Sequence, residues 1–415
     1  MRLPRMLEPL RIRDFALLWA GMTTSLVGDF VFLVAYPWQT YQLTNNPAAL
    51  GWISAAYVAP TVIFVTAGGV LTDRIERRRL MIAADLLRAA ATGTGAALAI
   101  THNLTLIDLG AVVAFGGLGA ALFNPAFGSI VPEIVPVGQL PQANALDQFV
   151  RTGAGLVGPA VAGVVIAVAG VGWAFAIDAA TFVVSVSTAL ALTSRPVEPS
   201  DEPRSALRDA REGWAFVRAR TWLWASLVAA GLANVASGSR NVLLPLVVKN
   251  DLHSSARTLG FVYSAGAAGA IVASLAYAQR GYLKRPIVIA FIGWGVSILA
   301  IGAYGLSTNV GELLAFGLVA GAGTAIGNAV WGTLMHRRVP RALLGRVTSI
   351  DWMFSLSLMP VASAGSGLIA GAVGARETLA GAGLIAGVGT LAFLVIPALR
   401  APELEPAGER VQPDR

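Results

Sequence analysis

The sequence predicts an all-α membrane protein, with twelve transmembrane helices in two pseudo-symmetric six-helix bundles. Three observations predict it. Of 415 residues, 55% are apolar and only 13% charged, where a soluble domain carries about 25% charged residues. The mean hydropathy is +0.67 over the whole chain. Finally, a segment of the first half returns in the second half without a gap.

Apolar runs of about 20 residues cross a hydrocarbon core. They fall at roughly 15–37, 48–70, 79–101, 105–128, 142–168, 173–193, 222–247, 257–279, 286–306, 310–335, 346–373 and 376–399. Gly and Pro are frequent inside them, as in packed membrane helices. The first run follows Arg2, Arg5, Arg11 and Arg13. It is too long for a signal-peptide core and no small-residue cleavage site follows, so it is expected to stay as a helix.

Charge sets the orientation. With twelve spans, the termini and every second connection share one side, and that side carries 24 of the 30 Lys and Arg residues. The opposite connections hold Lys249, Arg257 and Arg376, and Arg88, Arg151 and Arg240 lie within spans. This asymmetry places both termini in the cytoplasm of an inner-membrane protein. It also explains the net charge of +7 as a topology signal, so no nucleic-acid partner is expected. The chain has no cysteine and three scattered histidines, which excludes disulfides and thiolate metal sites. No cofactor is expected, and no G-x-x-x-x-G-K-(S/T) loop for nucleotide is present.

The expected domains are a first bundle at 1–193, a linker at 194–221, a second bundle at 222–399 and a cytoplasmic tail at 400–415. The linker begins Pro-rich. It continues with Leu207, Ala210, Trp214 and Val217 on one stripe, and with Arg208, Arg211, Glu212 and Arg218 mostly on the other side. That pattern predicts a short helix on the inner membrane surface. The repeat lays 124–148 on 328–352 at a constant offset of 204. Asn124/Asn328, Gly128/Gly332, Val135/Val339, Pro136/Pro340, Leu140/Leu344 and Asp147/Asp351 are identical, and Phe127 matches Trp331. A repeated unit of parallel topology is a transporter plan, with the substrate near the midplane.

The connection GGVLTDRIERRRL (68–80) holds six charges in seven positions. It resembles the G-x-L-x-D-R-x-G-R-(R/K) motif of the major facilitator superfamily, through Gly69, Leu71, Asp73, Arg74, Arg77 and Arg78. Glu76 replaces the motif's second glycine. Gly153, Gly158, Pro159 and Gly163 follow a looser antiporter pattern. FNPAFGSIVPEIVP with QANALDQ, and GDFVFLVAYPWQTYQLT, resemble the drug and siderophore exporter branch. The resemblance implies a secondary transporter working by alternating access. It implies that Asp73 seats on the start of the eleventh span near Gly345, latching one state, while the arginines tie neighbouring helix ends. A carboxylate gains about 0.3–2 kcal/mol at a helix N-terminus. Asp147, with Arg151 at i+4, and Asp351 are expected in the same cytoplasmic gate. Asp85 and Arg88 are expected to join the Arg74/Arg77 network.

Ionisable groups inside spans are functional candidates. Asp29 lies on a stripe with Met22, Ser25, Phe32 and Tyr36, a face too polar and aromatic for lipid. Arg240 lies near Asn234, Ser237 and Asn241. The family's first and seventh spans line its cavity, so Asp29 is the expected proton-exchanging group, with Arg240 as its partner. Tyr36, Phe32, Phe115, Phe123, Asn234 and Phe316 are candidates for the cavity wall. Asn124 and Asn328 suggest capping or gating. Asp108, Asp178 and Glu312 are expected to be solvated at outer helix ends. The expected activity is proton-coupled export of an amphipathic drug, antibiotic or siderophore by a monomer that is not an enzyme. The alternatives are a nutrient importer of the same fold, or a receptor or scaffold that transports nothing.

Overall fold

The computed structural model describes residues 5–72, 75–193, 206–280 and 285–400. The described residues are helical, with no strand among them. They form α1 (Arg13–Leu43), α2 (Pro47–Thr72), α3 (Arg77–Ile100), α4 (Leu106–Ile134), α5 (Leu140–Ala169), α6 (Val171–Leu190) and α7 (Ala206–Arg218). After these come α8 (Thr221–Leu246), α9 (Ala256–Arg280), α10 (Pro286–Ala303), α11 (Val310–Arg338), α12 (Arg341–Val373) and α13 (Ala375–Ala392).

Ten helices among the described residues are long and apolar enough to cross a membrane. The two expected spans outside that set are α3 and α8. At 24 residues, α3 is about 36 Å long, enough to span a core of about 30 Å. Its deficit is in apolarity: it carries Arg77, Arg78, Arg79, Asp85 and Arg88, as α8 carries Asn234, Arg240 and Asn241.

The chain divides into two compact units. The first comprises Met1–Asp201 with Val248–Ser264, and the second Glu202–Val247 with Ala265–Arg415. In the first, α2 packs on α4, α3 on α6 and α4, and α1 on α6 and α5. Phe15, Leu18, Leu80, Met81, Phe123, Ile130 and Leu146 form part of its core. Small residues let backbones approach, as expected where lipid offers no hydrophobic drive between helices. A Cβ on Gly117 would strike the Tyr57 backbone, and one on Gly21 would strike Thr188. In the second unit α10 packs on α11 and α13, and α8 on α12 and α13. Trp222, Leu223, Phe291, Trp294, Leu334 and Met335 belong to its core.

The offset of 204 extends beyond the segment where identity shows it. Thr105 caps α4 by accepting from the Asp108 N–H, with Asp108 reaching back to the Thr105 N–H at 3.0 Å. Asn309 caps α11 in the same way, accepting from Glu312 N–H at 3.0 Å. Asp108 and Glu312 are therefore helix-capping groups. Gly170 (φ +90°) joins α5 to α6, and Gly374 (φ +104°) joins α12 to α13. Both positions lie in the region that favours glycine.

In the linker helix Val217 of the predicted stripe is buried, as is Phe216, and Trp214 is 47% exposed. Gly213 instead faces α12, where a Cβ would sit 2.9 Å from Ile350 Cδ1. Glu212 pairs with Arg346 of α12. The helix thus seats on protein through Gly213 and Phe216, because the glycine allows the closest approach. The side chains of Leu207, Arg208 and Ala210 lie outside the described ones.

Candidate functional site

The first unit contains a pocket of about 240 Å³. All five residues of the predicted α1 stripe, Met22, Ser25, Asp29, Phe32 and Tyr36, line it. Helical periodicity brings them to one face. Phe123 and Asn124 of α4, Tyr57 of α2, Arg88 of α3 and Arg151 of α5 complete the polar and aromatic wall. Phe115 does not join them. It is 47% exposed, because on α4 it points well away from the face that carries Ala120, Phe123 and Asn124.

The pocket floor is ionic. Arg88 Nη1 lies 3.3 Å from Asp29 Oδ1 and 3.5 Å from Oδ2, while Nη2 donates to Asp85 Oδ1. The guanidinium carbon sits 4.9 Å from the Phe123 ring centroid and 4.2 Å from that of Phe182. Gly119 makes room for the Arg88 stem, since a Cβ there would lie 2.9 Å from Cδ and closer still to Cγ. Asp85 and Arg88 are buried, whereas the Asp29 side chain is 35% exposed to the pocket. These positions correct the expectation that Asp85 and Arg88 join the Arg74/Arg77 network. Spaced i and i+3 on α3, they face inward and meet Asp29.

Asp178 is a second correction. It is 1% exposed, not solvated at a helix end. α6 starts at Val171, so Asp178 lies about two turns inside it. It is within electrostatic range of Asp29, Asp85 and Arg88. The cluster therefore holds three carboxyls to one guanidinium.

Four gate candidates, Arg77, Arg78, Asp147 and Arg151, belong to the same unit. Arg77 pairs with Glu133 near the end of α4. Arg78 donates from Nε to Ala189 O at 2.9 Å and from Nη2 to Leu190 O at 2.5 Å, placing positive charge on the C-terminal carbonyls of α6. Arg79 pairs with Glu76 at 2.8 Å, and Arg151 with Asp147 at 2.9 Å. Asp73 and Arg74 lie outside the described residues. Gly69 is described only as backbone of α2.

A contact distant from these joins α5 to the first turns of α9, within the first unit. A Cβ on Gly163 would lie 2.8 Å from Ala256 O, and one on Gly260 3.0 Å from the Pro159 carbonyl carbon. Ser264 Oγ donates to Leu156 O at 2.6 Å. Lys249 Nζ donates to Tyr41 O at 2.6 Å and lies 3.4 Å from Asn45 Oδ1. Partial desolvation lowers the pKa of this ammonium.

The second unit has its own pocket, of about 420 Å³, with a neutral wall apart from Asp351. Asn234, Ser237, Trp294, Thr324, Asn328 and Trp331 line it. Trp294 Nε1 donates to Asn328 Oδ1 at 2.9 Å, and Trp331 Nε1 to Asp351 Oδ2 at 3.1 Å. Gly119 and Gly323, equivalent at the offset of 204, press on Arg88 in one unit and on Ser297 in the other. A serine thus stands where the first unit has its guanidinium. Phe316 does not line this pocket, since it lies about two turns before Thr324 on α11. Arg240 belongs to this unit and donates to Asn241 Oδ1 at 3.2 Å.

A profile of proteins described as transmembrane secretion effectors, within the major facilitator group, matches residues 5–413. The chain belongs to this family. Among similar proteins, the enterobactin exporter of Citrobacter koseri is 29% identical over 392 residues, covering 91% of this chain and 90% of that one. Macrolide efflux protein A of Streptococcus pyogenes is 25% identical, covering 88% and 91%. Solved structures share the fold. A POT family transporter in complex with a thioalcohol-conjugated peptide superposes with a TM-score of 0.72 at 14% identity, covering 94% and 96%. A bacterial homologue of the iron transporter ferroportin, inward-facing, gives 0.64 at 17% identity, covering 92% and 98%. The secretion effector is thus a multi-pass membrane protein whose relatives are transporters and not enzymes.

Asp178 was the functional candidate missed in the sequence, and its signal was present. FAIDAATF places one carboxyl in an otherwise apolar run, which is costly in a membrane unless it is used.

Proposed function

We infer that this secretion effector exports an amphipathic organic molecule across the cell membrane in exchange for protons. Twelve spans in two six-helix bundles, α3 and α8 included, alternate access between the two faces, with both termini in the cytoplasm. One observation carries the coupling: Asp29 is a carboxylate inside an apolar helix, one-third exposed to a pocket and bonded to a buried arginine. A carboxylate in that setting is retained at a cost that transport repays. Aromatic faces of Phe30, Phe32, Phe123 and Tyr36 supply the apolar contact for a substrate. The macrolide and enterobactin relatives support export over import, and supply the first substrates to test.

In the proposed cycle a proton on Asp29 releases its half of Arg88, and loss of the proton restores the pair. Arg88 is the arginine bonded to Asp29, so this reading rests on it first, with Arg240 kept as the second candidate partner. Asp147, Arg151 and Asp351 act as gate groups in this reading. The transporter works as a monomer.

The test is purified protein in proteoliposomes loaded with a macrolide or a catecholate siderophore, under imposed pH gradients of either sign. Movement of drug against an inward proton flow is expected. Uptake in the same direction as the protons would establish an importer. No movement of any compound in a broad panel would favour the receptor or scaffold alternative.

A further inference from the structure

Asp178 has no part in the cycle above, yet it is the most enclosed carboxyl of the cluster except Asp85. Its Oδ1 is buried and has no hydrogen-bond partner. The neighbouring Thr181 hydroxyl donates to the backbone carbonyl of Asp178 at 2.7 Å, not to the carboxyl. Opposite it, α1 presents Gly28, where a Cβ would lie 2.6 Å from Oδ1. The carboxyl therefore points at the backbone immediately before Asp29. A buried acceptor left bare is costly, and a proton on the carboxyl removes the charge that burial penalises.

The groups facing Asp178 come from each helix packed around it. α1 brings Asp29, α3 brings Asp85 and Arg88, and the Tyr57 hydroxyl of α2 is within electrostatic range. Arg151 of α5 acts on Asp29 but is bonded to Asp147. Arg88 is the cation shared by the cluster, and both of its terminal nitrogens are engaged, with Asp85 and Asp29. Arg88 Nε is buried without a partner beside it, while Asp85 is also held by Ser185. The cluster thus has fewer positive charges than carboxyls, and bare polar atoms on Asp178 and Arg88.

We propose that Asp178 is a second proton-carrying group, exchanging one proton with Asp29 as Arg88 shifts its second bond between them. In one state Asp178 is the acid, and Asp29 is the carboxylate bonded to Arg88. In the other the proton is on Asp29, and the guanidinium bonds the Asp178 carboxylate. One O–H bond breaks and one forms, so the proton count and the charge of the cluster are unchanged. Asp29, open to the pocket, is where protons enter and leave. This rests on the proton-exchange reading of Asp29.

The test is infrared difference spectroscopy of the full-length protein in lipid nanodiscs, in H₂O and D₂O at neutral pH. The wild type should show a carboxylic-acid C=O band that shifts on deuteration. Asp178→Asn should lose it, Asp178→Glu should keep it at a displaced frequency, and Asp29→Asn, a neutral stand-in for protonated Asp29 that frees Arg88 for Asp178, should weaken it. Absence of the band in the wild type, or its persistence in Asp178→Asn, overturns the assignment. Asp178→Glu guards against misfolding, since an unfolded variant would show no displaced band. If the band behaves as expected but Asp29→Asn transports at the wild-type rate under a pH gradient, the exchange reading fails, and the role of Asp178 with it. The spectrum and the transport assay thus report separately on the two claims.

Discussion

Arg88→Gln is the sharpest perturbation of the ionic cluster. The side chain is 5% exposed and bonds Asp85, which is 1% exposed, as well as Asp29. Removing one partner of a buried pair leaves a desolvated charge and costs about 3–5 kcal/mol. Loss of the guanidinium over Phe123 and Phe182 adds about 0.5–2 kcal/mol. At about 2–4 °C per kcal/mol for a unit of some 200 residues, the unfolding midpoint should fall by roughly 7–28 °C. The assay is thermal unfolding in mild detergent, followed by the fraction that stays monodisperse. Asp85→Asn on top of Arg88→Gln should recover most of the loss, because the stranded charge is gone and Asp29 is partly solvated. Two residues in one network are expected to be non-additive. A wild-type midpoint for Arg88→Gln would refute the reasoning, as would a double variant no more stable than the single one.

Other outcomes follow from local geometry. Gly260→Ala meets the backbone of Pro159 and Gly163, which cannot swing aside. It should expose Ser264→Cys, buried in the parent, to thiol reagents, and the chain has no other cysteine; equal labelling in both backgrounds would contradict the contact. Gly119→Leu should displace the Arg88 stem and destabilise the first unit more than Gly128→Leu, where open space meets a Cβ, as compared by thermal unfolding. Glu212→Gln removes a partly exposed ion pair with Arg346 and should cost only about 0.2–1 kcal/mol. Gly213→Val, pressed on Ile350 and Arg346, should make the chain near α7 markedly more sensitive to protease.

Much of the pocket was legible because one helix carries most of it. The α1 stripe from Met22 to Tyr36 has a polar face that 3.6-residue periodicity makes visible, and the structure places all of it on the pocket. What sequence could not supply was the partner across the interhelical space. Asp85 and Arg88 read as inner-surface charges because Arg77–Arg79 precede them on the same helix. Gly119 of α4 leaves room for the Arg88 stem, and Asp29 reaches it from a third helix. Phe115 and Phe316 line neither pocket, since an aromatic residue in a membrane helix serves lipid or packing as readily as a ligand, and angular position decides. The repeat was legible at Asn124/Asn328 through identity. At Thr105/Asn309 and Gly170/Gly374 it emerges through shared caps and turns, where different or isolated residues do the same geometric work.

The central claim is that the carboxyl at Asp29 couples protons to transport. Its most direct test is Asp29→Asn in proteoliposomes, comparing drug movement driven by a pH gradient with counterflow at equal pH. The account predicts that gradient-driven movement is lost while counterflow continues. Gradient-driven transport at the wild-type rate would contradict it.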